Sequence, residues 1–212
     1  MTETPTAPIR IHRFPLSGHS HRVELFCALN GIALEKIEVD LIQKAQKDPA
    51  FLALNPLGLI PVIEDGTTIL SDSNAILVYL ARRYAPDWLP ADPAEEARVH
   101  QFLALAAGDI YNGPGAARRS KVFGSKADPA IVAAATARAL GFLEAHLGDR
   151  NWVVVDRPTI ADISLYTYIA HAPEGDVSLE PYPEIRAWLA RIEALPGFIA
   201  MPASDGPIML YK

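Results

Sequence analysis

The segment from Asn55 to Ser73 carries the clearest indication of a binding site in this sequence. It places Ile60-Pro61 at the start of an apolar run and Asp72-Ser73 at the start of a helical pattern. A proline there indicates an edge strand or a cis X-Pro bond, and a tight turn of that kind points the backbone N–H and C=O of Ile60 outward. The first turn of a helix offers backbone N–H groups that attract anions. Together these groups suit a small peptide-like ligand with carboxylates.

The elements around this segment form an α/β pattern up to about Tyr84. Alternation predicts a first strand over 9–13, and a 3.6-residue period predicts a helix from about Ser20 to Asn30, before Gly31. A second strand follows over 34–41, then a short helix or turn over 45–53. Apolar runs on both sides of Asp65-Gly66 predict a hairpin. A strand–helix–strand unit implies a parallel pair, to which the hairpin adds antiparallel strands.

After the α/β region, the sequence pattern predicts a linker and then only helices. Residues 85–93 hold three prolines and indicate a linker. Helices are predicted over 94–112, 128–147, 159–170 and 183–195, with Thr159 and Asp162 forming a structural capping box. The basic run 118–121 indicates a solvated loop rather than a nucleic-acid patch.

Composition narrows the function classes. The net charge of −6 and pI of about 5.5 argue against nucleic acid and anionic membrane as partners. A single cysteine, Cys27, excludes an intramolecular disulfide and predicts a buried core residue in a reducing, cytoplasmic protein. Residues 1–8 lack the pattern of a signal peptide, and no apolar run approaches the length of a membrane span. His12, His19 and His21 have no carboxylate or cysteine at ligand spacing, so no metal site is predicted.

Three motifs in the right order resemble the cytosolic glutathione transferase family, and they cover nearly the whole chain. They are NPLGLIPVIEDG at 55–66, SDSNAILVYLARRY at 71–84 and RPTIADISLY at 157–166. The resemblance implies a thioredoxin-like glutathione-binding domain over 1–84. It also implies an all-helical domain over 94–212 that contributes the second-substrate pocket, and a homodimer. Glutathione would be a co-substrate, and no other cofactor is implied.

The resemblance also implies the residues that bind glutathione. Ile60, before Pro61, would pair its backbone with the cysteinyl part, and Asp72 and Ser73 would hold the γ-glutamyl end. The family usually has Glu or Gln before that serine, so Asp72 is one methylene shorter. Gln46–Phe51 resembles a plant-type His-Lys-Ser-Pro-Glu-Phe run, which would bring Lys47 to the glycyl carboxylate. Lys47 is the obvious cation for an anionic ligand in an acidic protein.

On the same resemblance, Ser17 falls where serine-type members carry their catalytic serine. A thiol with a pKa of about 8.5 is only a few per cent thiolate at pH 7, and lowering that pKa by two units takes about 2.7 kcal/mol. One hydrogen bond to the anion, at about 1.5–3 kcal/mol, supplies this amount. Ser20 and His19 are rivals for the contact with sulfur. A tyrosine-type site is excluded, because Tyr79 is the first tyrosine.

The resemblance thus predicts a glutathione transferase that adds the glutathione thiolate to a small hydrophobic electrophile in detoxification. Asp109, Tyr111 and Asn112 could line the electrophile pocket. The alternatives are a glutathione-dependent disulfide or peroxide reductase, an isomerase, and a non-catalytic interaction protein. Isomerase-type members resemble Ser-Ser-Cys-Ser where this chain has Ser17-Gly18-His19-Ser20, and the missing cysteine disfavours that chemistry.

Overall fold

The computed structural model describes residues 4–208 and 210. Contacts divide these residues into two compact units, which we describe separately. The first comprises residues 4–89 together with Pro196–Pro202, and the second comprises residues 90–195 with the described residues after 202. The predicted linker 85–93 straddles the division and is partly packed. Pro86–Trp88 forms a short 3-10 turn, and the Trp88 ring lies edge-on to Phe26 with centroids 5.5 Å apart.

The first unit is built on a four-stranded mixed sheet. Its strands, in the spatial order β2-β1-β3-β4, are β1 (Ile9–Arg13), β2 (Leu34–Glu38), β3 (Val62–Asp65) and β4 (Thr68–Ser71). β1 pairs parallel to β2 and antiparallel to β3. The helices are α1 (Gly18–Leu29), α2 (Pro49–Leu54) and α3 (Ser73–Tyr84). The predicted thioredoxin-like topology is therefore confirmed.

The details of this unit refine the sequence-based boundaries. β3 lies between β1 and β4, so Pro61 does not begin an edge strand, and the Ile60–Pro61 bond is cis. The hairpin pairs Asp65 with Thr68, and Gly66 takes a φ of +60° that favours glycine. α1 begins two residues earlier than predicted because Ser17 caps it. Residues 45–53 resolve into a 3-10 turn, Ala45–Lys47, followed by α2.

α1 is held to the sheet by apolar packing and by a buried ion cluster. Phe26 and Cys27 are fully buried, as predicted for Cys27, and burial raises the pKa of the Cys27 thiol. Glu24 is 3% exposed and accepts hydrogen bonds from Arg13 Nε at 2.7 Å and Nη2 at 3.2 Å. Lys36 Nζ lies 2.7 Å from the same carboxylate. Because a buried charge needs such partners, the cluster fixes α1 across β1 and β2.

The second unit consists of helices among the residues that the structure describes. They are α4 (Pro93–Leu105), α5 (Pro114–Phe123), α6 (Pro129–Leu147), α7 (Ile160–Ala170) and α8 (Pro183–Glu193). α4 continues as a π-helical turn, Ala106–Ile110, where the pattern predicts a regular helix. The interpretation of 118–121 as a solvated loop is wrong. These residues lie in α5, and the Arg118 side chain is fully buried with its Nε donating to Glu174 Oε2 at 2.8 Å.

Asp162 joins three segments of the second unit. Its carboxylate accepts from the Thr159 N–H at 2.8 Å, the Thr159 hydroxyl at 3.1 Å and the Val153 N–H at 3.1 Å. It also accepts from Trp188 Nε1 of α8 at 3.0 Å. The capping box predicted for α7 is confirmed. The carboxylate additionally anchors α8 and the loop at Val153, which the sequence does not reveal.

α6 is long and apolar enough to cross a membrane by length and composition alone. The sequence predicted no apolar run of that length, and a single helix of this kind is weak evidence for a membrane span. Leu140 and Leu143 of α6 are fully buried. Its Glu144 accepts hydrogen bonds from the N–H groups of Glu184 and Ile185 at 3.0 and 2.9 Å, which caps the start of α8. α6 is thus integrated into the helical unit.

Candidate functional site

Ser17 stands at the N-terminus of α1 and is its N-cap. Its Oγ accepts a hydrogen bond from the Ser20 N–H at 3.2 Å, and its own N–H donates to the Phe14 carbonyl at 3.0 Å. The cap uses a lone pair of the hydroxyl oxygen and leaves the hydroxyl proton to bond elsewhere. Because Ser17 is partly exposed, that proton can reach an external acceptor.

Asp72 and Ser73 form the N-terminus of α3. Asp72 is the N-cap, with Oδ1 accepting from the N–H groups of Asn74 at 2.9 Å and Ala75 at 3.0 Å. Its φ of +69° and ψ of 117° lie in a region that non-glycine residues rarely occupy, and such strain tends to mark functional segments. Ser73 is 4% exposed, and its N–H has no acceptor among the residues that the structure describes. This N–H is a ready donor to an anion.

The starts of α1 and α3 are joined through the Ser73 hydroxyl. His19 Nδ1 lies 3.2 Å from Ser73 Oγ. The fully buried Arg22 donates from Nη1 to Ser73 Oγ at 3.3 Å and to Asn74 Oδ1 at 3.0 Å. A guanidinium can only donate, so Ser73 Oγ is an acceptor there and its proton is directed to His19 or to a ligand. Arg22 was not among the residues predicted for the site. The signal in the sequence was an arginine that directly precedes the apolar positions of a helix predicted to pack on the sheet.

The electrostatics of this junction favour a carboxylate. Each helix N-terminus carries about half a positive charge, and the Arg22 guanidinium contacts Ser73 and Asn74 at the start of α3. The carboxylate of Asp72 is engaged with the two α3 amides. A ligand carboxylate near Ser73 would therefore meet the serine N–H, the serine hydroxyl and a positive potential.

Asn55 and Gly58 shape the loop that leads to Ile60-Pro61. Asn55 is 4% exposed; its Nδ2 donates to the Leu59 carbonyl at 2.8 Å and its Oδ1 accepts from the Leu57 N–H at 3.1 Å. Gly58 has a φ of +61°, and a Cβ there would lie 2.7 Å from Lys47 Nζ and 2.8 Å from the Gln46 carbonyl oxygen. Only glycine allows this approach.

Lys47 is exposed and lies against that loop. Its Nζ donates to the carbonyls of Leu57 at 3.2 Å and Gly58 at 3.4 Å. An ammonium has three donors, so these contacts orient it and leave one proton for a ligand. The structure thus places the predicted cation beside the turn that carries Ile60.

Ile60 keeps its backbone outside the sheet. The paired residues of β3 begin at Val62, and the Ile60 side chain packs on a small core cluster with Phe51 and Val62. Pro61 is buried. The backbone of Ile60 is therefore available at the surface of the first unit while its side chain anchors the turn.

The two rivals of Ser17 have other contacts. Ser20 is fully buried, and its Oγ lies 3.5 Å from the Phe14 N–H. His19 faces Ser73. Direct contacts thus unite His19, Arg22 and Ser73, and the first turn of α1 ties Ser17 to them. Lys47 and Ile60 meet separately at the loop over 55–61.

Family models match both parts of the chain. The glutathione S-transferase N-terminal domain matches residues 16–83, and the C-terminal domain matches residues 86–196. Together these matches span both units. The chain belongs to the glutathione S-transferase family.

Known proteins resemble this family member over most of its length. Glutathione S-transferase theta-2 of Homo sapiens is 35% identical over 86% of this chain and 79% of its own. Maleylacetoacetate isomerase of Pseudomonas aeruginosa is 30% identical over 90% of this chain and 93% of its own. A solved glutathione transferase homologue from Drosophila mojavensis, with bound glutathione, superimposes with a TM-score of 0.79. It shares 28% identity and covers 89% of both chains.

In this glutathione transferase, the residues predicted to line the electrophile pocket lie in the helical unit. Asp109 forms a two-point ion pair with Arg138, with both N–O distances 2.7 Å, and the hydrogen bond from Arg138 lowers the pKa of the Asp109 carboxyl. The Tyr111 ring lies 3.6 Å from the Arg119 guanidinium. Both Asp109 and Tyr111 thus have arginine partners within the helical unit.

Proposed function

We propose that this glutathione transferase conjugates the thiolate of glutathione to small hydrophobic electrophiles, with Ser17 as the catalytic residue. The proposal rests on the hydrogen bonding of the Ser17 hydroxyl, whose oxygen accepts from the Ser20 N–H. Its oxygen caps α1, so its proton is free to donate to a sulfur placed before the helix. A hydrogen bond to the thiolate, with the helix N-terminus behind it, lowers the pKa of a bound thiol.

Glutathione would be held by the remaining predicted residues. Its γ-glutamyl carboxylate would accept from the N–H and hydroxyl of Ser73, while Asp72 maintains the helix start. The backbone of Ile60, ahead of Pro61, would pair with the cysteinyl part. Lys47, oriented by two loop carbonyls, would meet the glycyl carboxylate. Residues of the helical domain, with Tyr111 and Asn112, would contact the electrophile.

A glutathione-dependent isomerase is the second candidate, because one relative is named maleylacetoacetate isomerase. Isomerisation needs the same activated thiolate, which adds to the substrate and leaves again. The tripeptide would bind in the same way in both reactions. The two candidates therefore differ in the electrophile and in whether the bond between glutathione and the substrate persists in the product.

The test of the proposal is glutathione binding followed by a substrate panel. We expect calorimetry to show saturable glutathione binding, and a chlorodinitrobenzene to be conjugated in a glutathione-dependent reaction. Maleylacetoacetate turnover without net glutathione consumption would favour the isomerase. An absence of glutathione binding at millimolar ligand would contradict both enzyme proposals and favour an interaction protein.

Ser73→Ala is expected to weaken glutathione binding by about 10- to 150-fold, the equivalent of a hydrogen bond to a charged group at about 1.5–3 kcal/mol. The turnover of the bound complex should change little, because Ser73 would not touch the sulfur. Calorimetry measures the affinity for glutathione. Separate values of KM and kcat show whether the turnover of the bound complex has changed.

Ser71→Ala, at the end of β4, is the matched control for this variant. It removes a hydroxyl close in sequence without touching the α3 terminus. Equal glutathione affinity of the Ser73→Ala and Ser71→Ala variants would show that the γ-glutamyl end binds elsewhere.

We further propose a cytoplasmic homodimer with a role in detoxification. Large apolar side chains are exposed in both units, including Leu57 at 70%, Leu59 at 59% and Phe142 at 46%. Burying exposed apolar side chains of this kind against a second copy of the chain would stabilise a dimer. The mass in solution, measured by light scattering, tests the dimer.

A further inference from the structure

Arg22 is a buried cation of the first unit, close to the start of α1. Its side chain is fully buried. A guanidinium is charged at every physiological pH, and burying a charge is costly unless the charged group is hydrogen-bonded. The contacts of Arg22 therefore indicate what this charge does in the fold.

The Arg22 guanidinium spans the start of α3. Its Nη1 donates to Ser73 Oγ at 3.3 Å and to Asn74 Oδ1 at 3.0 Å, and these are the first two residues of that helix. Ser73 is a buried residue, so its Oγ cannot turn away from Nη1 without separating two buried polar atoms, which costs free energy. The contact thus holds the Ser73 hydroxyl oxygen in one place.

The same contact restricts the direction of the Ser73 hydroxyl proton. A serine hydroxyl has one proton and two lone pairs, and a guanidinium can only donate. Arg22 therefore occupies one lone pair, and the proton has to point away from the guanidinium. His19 Nδ1 lies 3.2 Å from the same oxygen and either accepts the proton or donates to the second lone pair, according to its tautomer.

A ligand carboxylate would compete well for the Ser73 proton. A hydrogen bond to an anion is stronger than one between neutral groups, so the hydroxyl would donate to the carboxylate in preference to a neutral imidazole. His19 would then keep its contact by carrying a proton on Nδ1 and donating to the second lone pair. The hydroxyl oxygen would accept from Arg22 and His19 while its proton is used for the ligand.

We propose that Arg22 is a positioning residue for glutathione, which directs the Ser73 hydroxyl proton to the γ-glutamyl carboxylate. Arg22 acts through Ser73, because its own side chain is fully buried and cannot touch the tripeptide. The inference rests on the proposed function and deepens it, since it assigns the recognition of one carboxylate to a residue outside the ligand's reach.

Arg22→Lys is the variant that tests this role. Lysine keeps the positive charge and most of the side-chain volume, but it lacks the planar guanidinium that fixes the direction of each donor. The variant therefore changes the orientation of the Ser73 hydroxyl more than the charge behind it.

The measurement is calorimetry on the full chain with two ligands. One is S-methylglutathione, which has no thiol and so does not depend on thiol ionisation. The other is its analogue with γ-aminobutyrate in place of γ-glutamate, which lacks only the carboxylate in question. We expect the parent chain to bind S-methylglutathione about 10- to 150-fold more tightly than the analogue, because a hydrogen bond to a charged group is lost.

Arg22→Lys should reduce this preference about three- to tenfold, the coupling typical of residues in one hydrogen-bond network, and leave the affinity for the analogue nearly unchanged. A merely structural role would weaken both ligands equally, and that result would overturn the inference. Arg82→Lys, an exposed position near the end of α3, is the matched control and should change neither affinity.

Two further variants keep the test decisive if Arg22→Lys is unstable. Asn74→Ala removes the acceptor that helps to fix the guanidinium, and it should reduce the preference in the same direction. In a Ser73→Ala chain, neither Arg22→Lys nor Asn74→Ala should change the preference further, because both act through the missing hydroxyl. Effects of undiminished size in that chain would overturn the inference.

The outcomes also separate this inference from the proposed function. An absence of S-methylglutathione binding in the parent chain would overturn both. Tight binding by the parent chain, with the same preference in the folded Arg22→Lys and Asn74→Ala variants, would overturn the role of Arg22 alone.

Discussion

Ser17→Ala is expected to lower kcat/KM for conjugation at pH 7 by about 10- to 150-fold, because it removes a hydrogen bond to the thiolate of about 1.5–3 kcal/mol. If the Ser17 hydroxyl lowers the pKa of the bound thiol as proposed, its loss raises that pKa toward the value of a free thiol, about 8.5. The loss of activity should therefore be largest when the pH is below about 8.5. It should become smaller at higher pH, where the thiol ionises without the hydroxyl. Initial rates from pH 6 to 9 measure both effects.

The matched controls for this variant separate catalysis from capping, since Ser17 also caps α1. Alanine costs about 0.5–2 kcal/mol at an N-cap, whereas glycine costs only a few tenths. Ser17→Gly should thus be nearly as stable as the parent chain but as slow as Ser17→Ala. Ser17→Thr, which keeps both the hydroxyl and the cap, should retain most activity. Full activity in a folded Ser17→Gly variant would show that another group activates the thiol.

Asp162→Ala is expected to lower the free energy of unfolding by at least about 3 kcal/mol. The carboxylate accepts from four donors of Val153, Thr159 and Trp188, and each buried donor left without an acceptor costs about 1–3 kcal/mol. This is a large part of the 5–15 kcal/mol that stabilises a typical domain. Guanidinium denaturation, followed by tryptophan fluorescence and circular dichroism, measures the loss.

Asp156→Ala is the control for this variant, because Asp156 is an exposed carboxylate close in sequence. It should change the free energy of unfolding by no more than a few tenths of a kcal/mol. Asp162→Asn should fall between the two, since an amide keeps one acceptor oxygen but turns an N–H₂ group toward buried donors. Equal midpoints for Asp162→Ala and Asp156→Ala would mean that water replaces the lost contacts. The hydrogen bonds of Asp162 would then contribute little to the free energy of unfolding.

Local patterns predicted most helices and strands to within a few residues, but they missed α5, which contains the basic run interpreted as a loop. Alternation over Ile9–Arg13, the Asp65-Gly66 turn and the Asp128-Pro129 cap are signals that act over short distances along the chain, so each element could be placed without knowing its neighbours. The π-helical turn after α4 was missed, because the residue types over Ala106–Ile110 do not reveal a local change from i→i+4 to i→i+5 hydrogen bonds.

Side-chain contacts between segments that are distant along the chain could not be predicted from the sequence. Arg22 and Ser73 are far apart along the chain, and only the packing of α1 beside α3 brings the guanidinium to the serine hydroxyl. The basic run that includes Arg118 looked solvated because charge predicts exposure, yet Glu174 from another segment compensates its burial. In both cases the partner that makes a buried charge acceptable comes from elsewhere.

The sequence by itself determined the family, the thioredoxin-like order of elements and the residue types at the proposed glutathione site. It could do so because motifs such as Ile60-Pro61 and Asp72-Ser73 act through their own backbone and the first turn of a helix. The tertiary structure alone decided that Ser20 is buried, that His19 faces Ser73 and that Arg118 is buried beside Glu174. The burial of a side chain and its contacts depend on which residues of distant segments pack around it. The spacing of residues along one segment does not determine those neighbours.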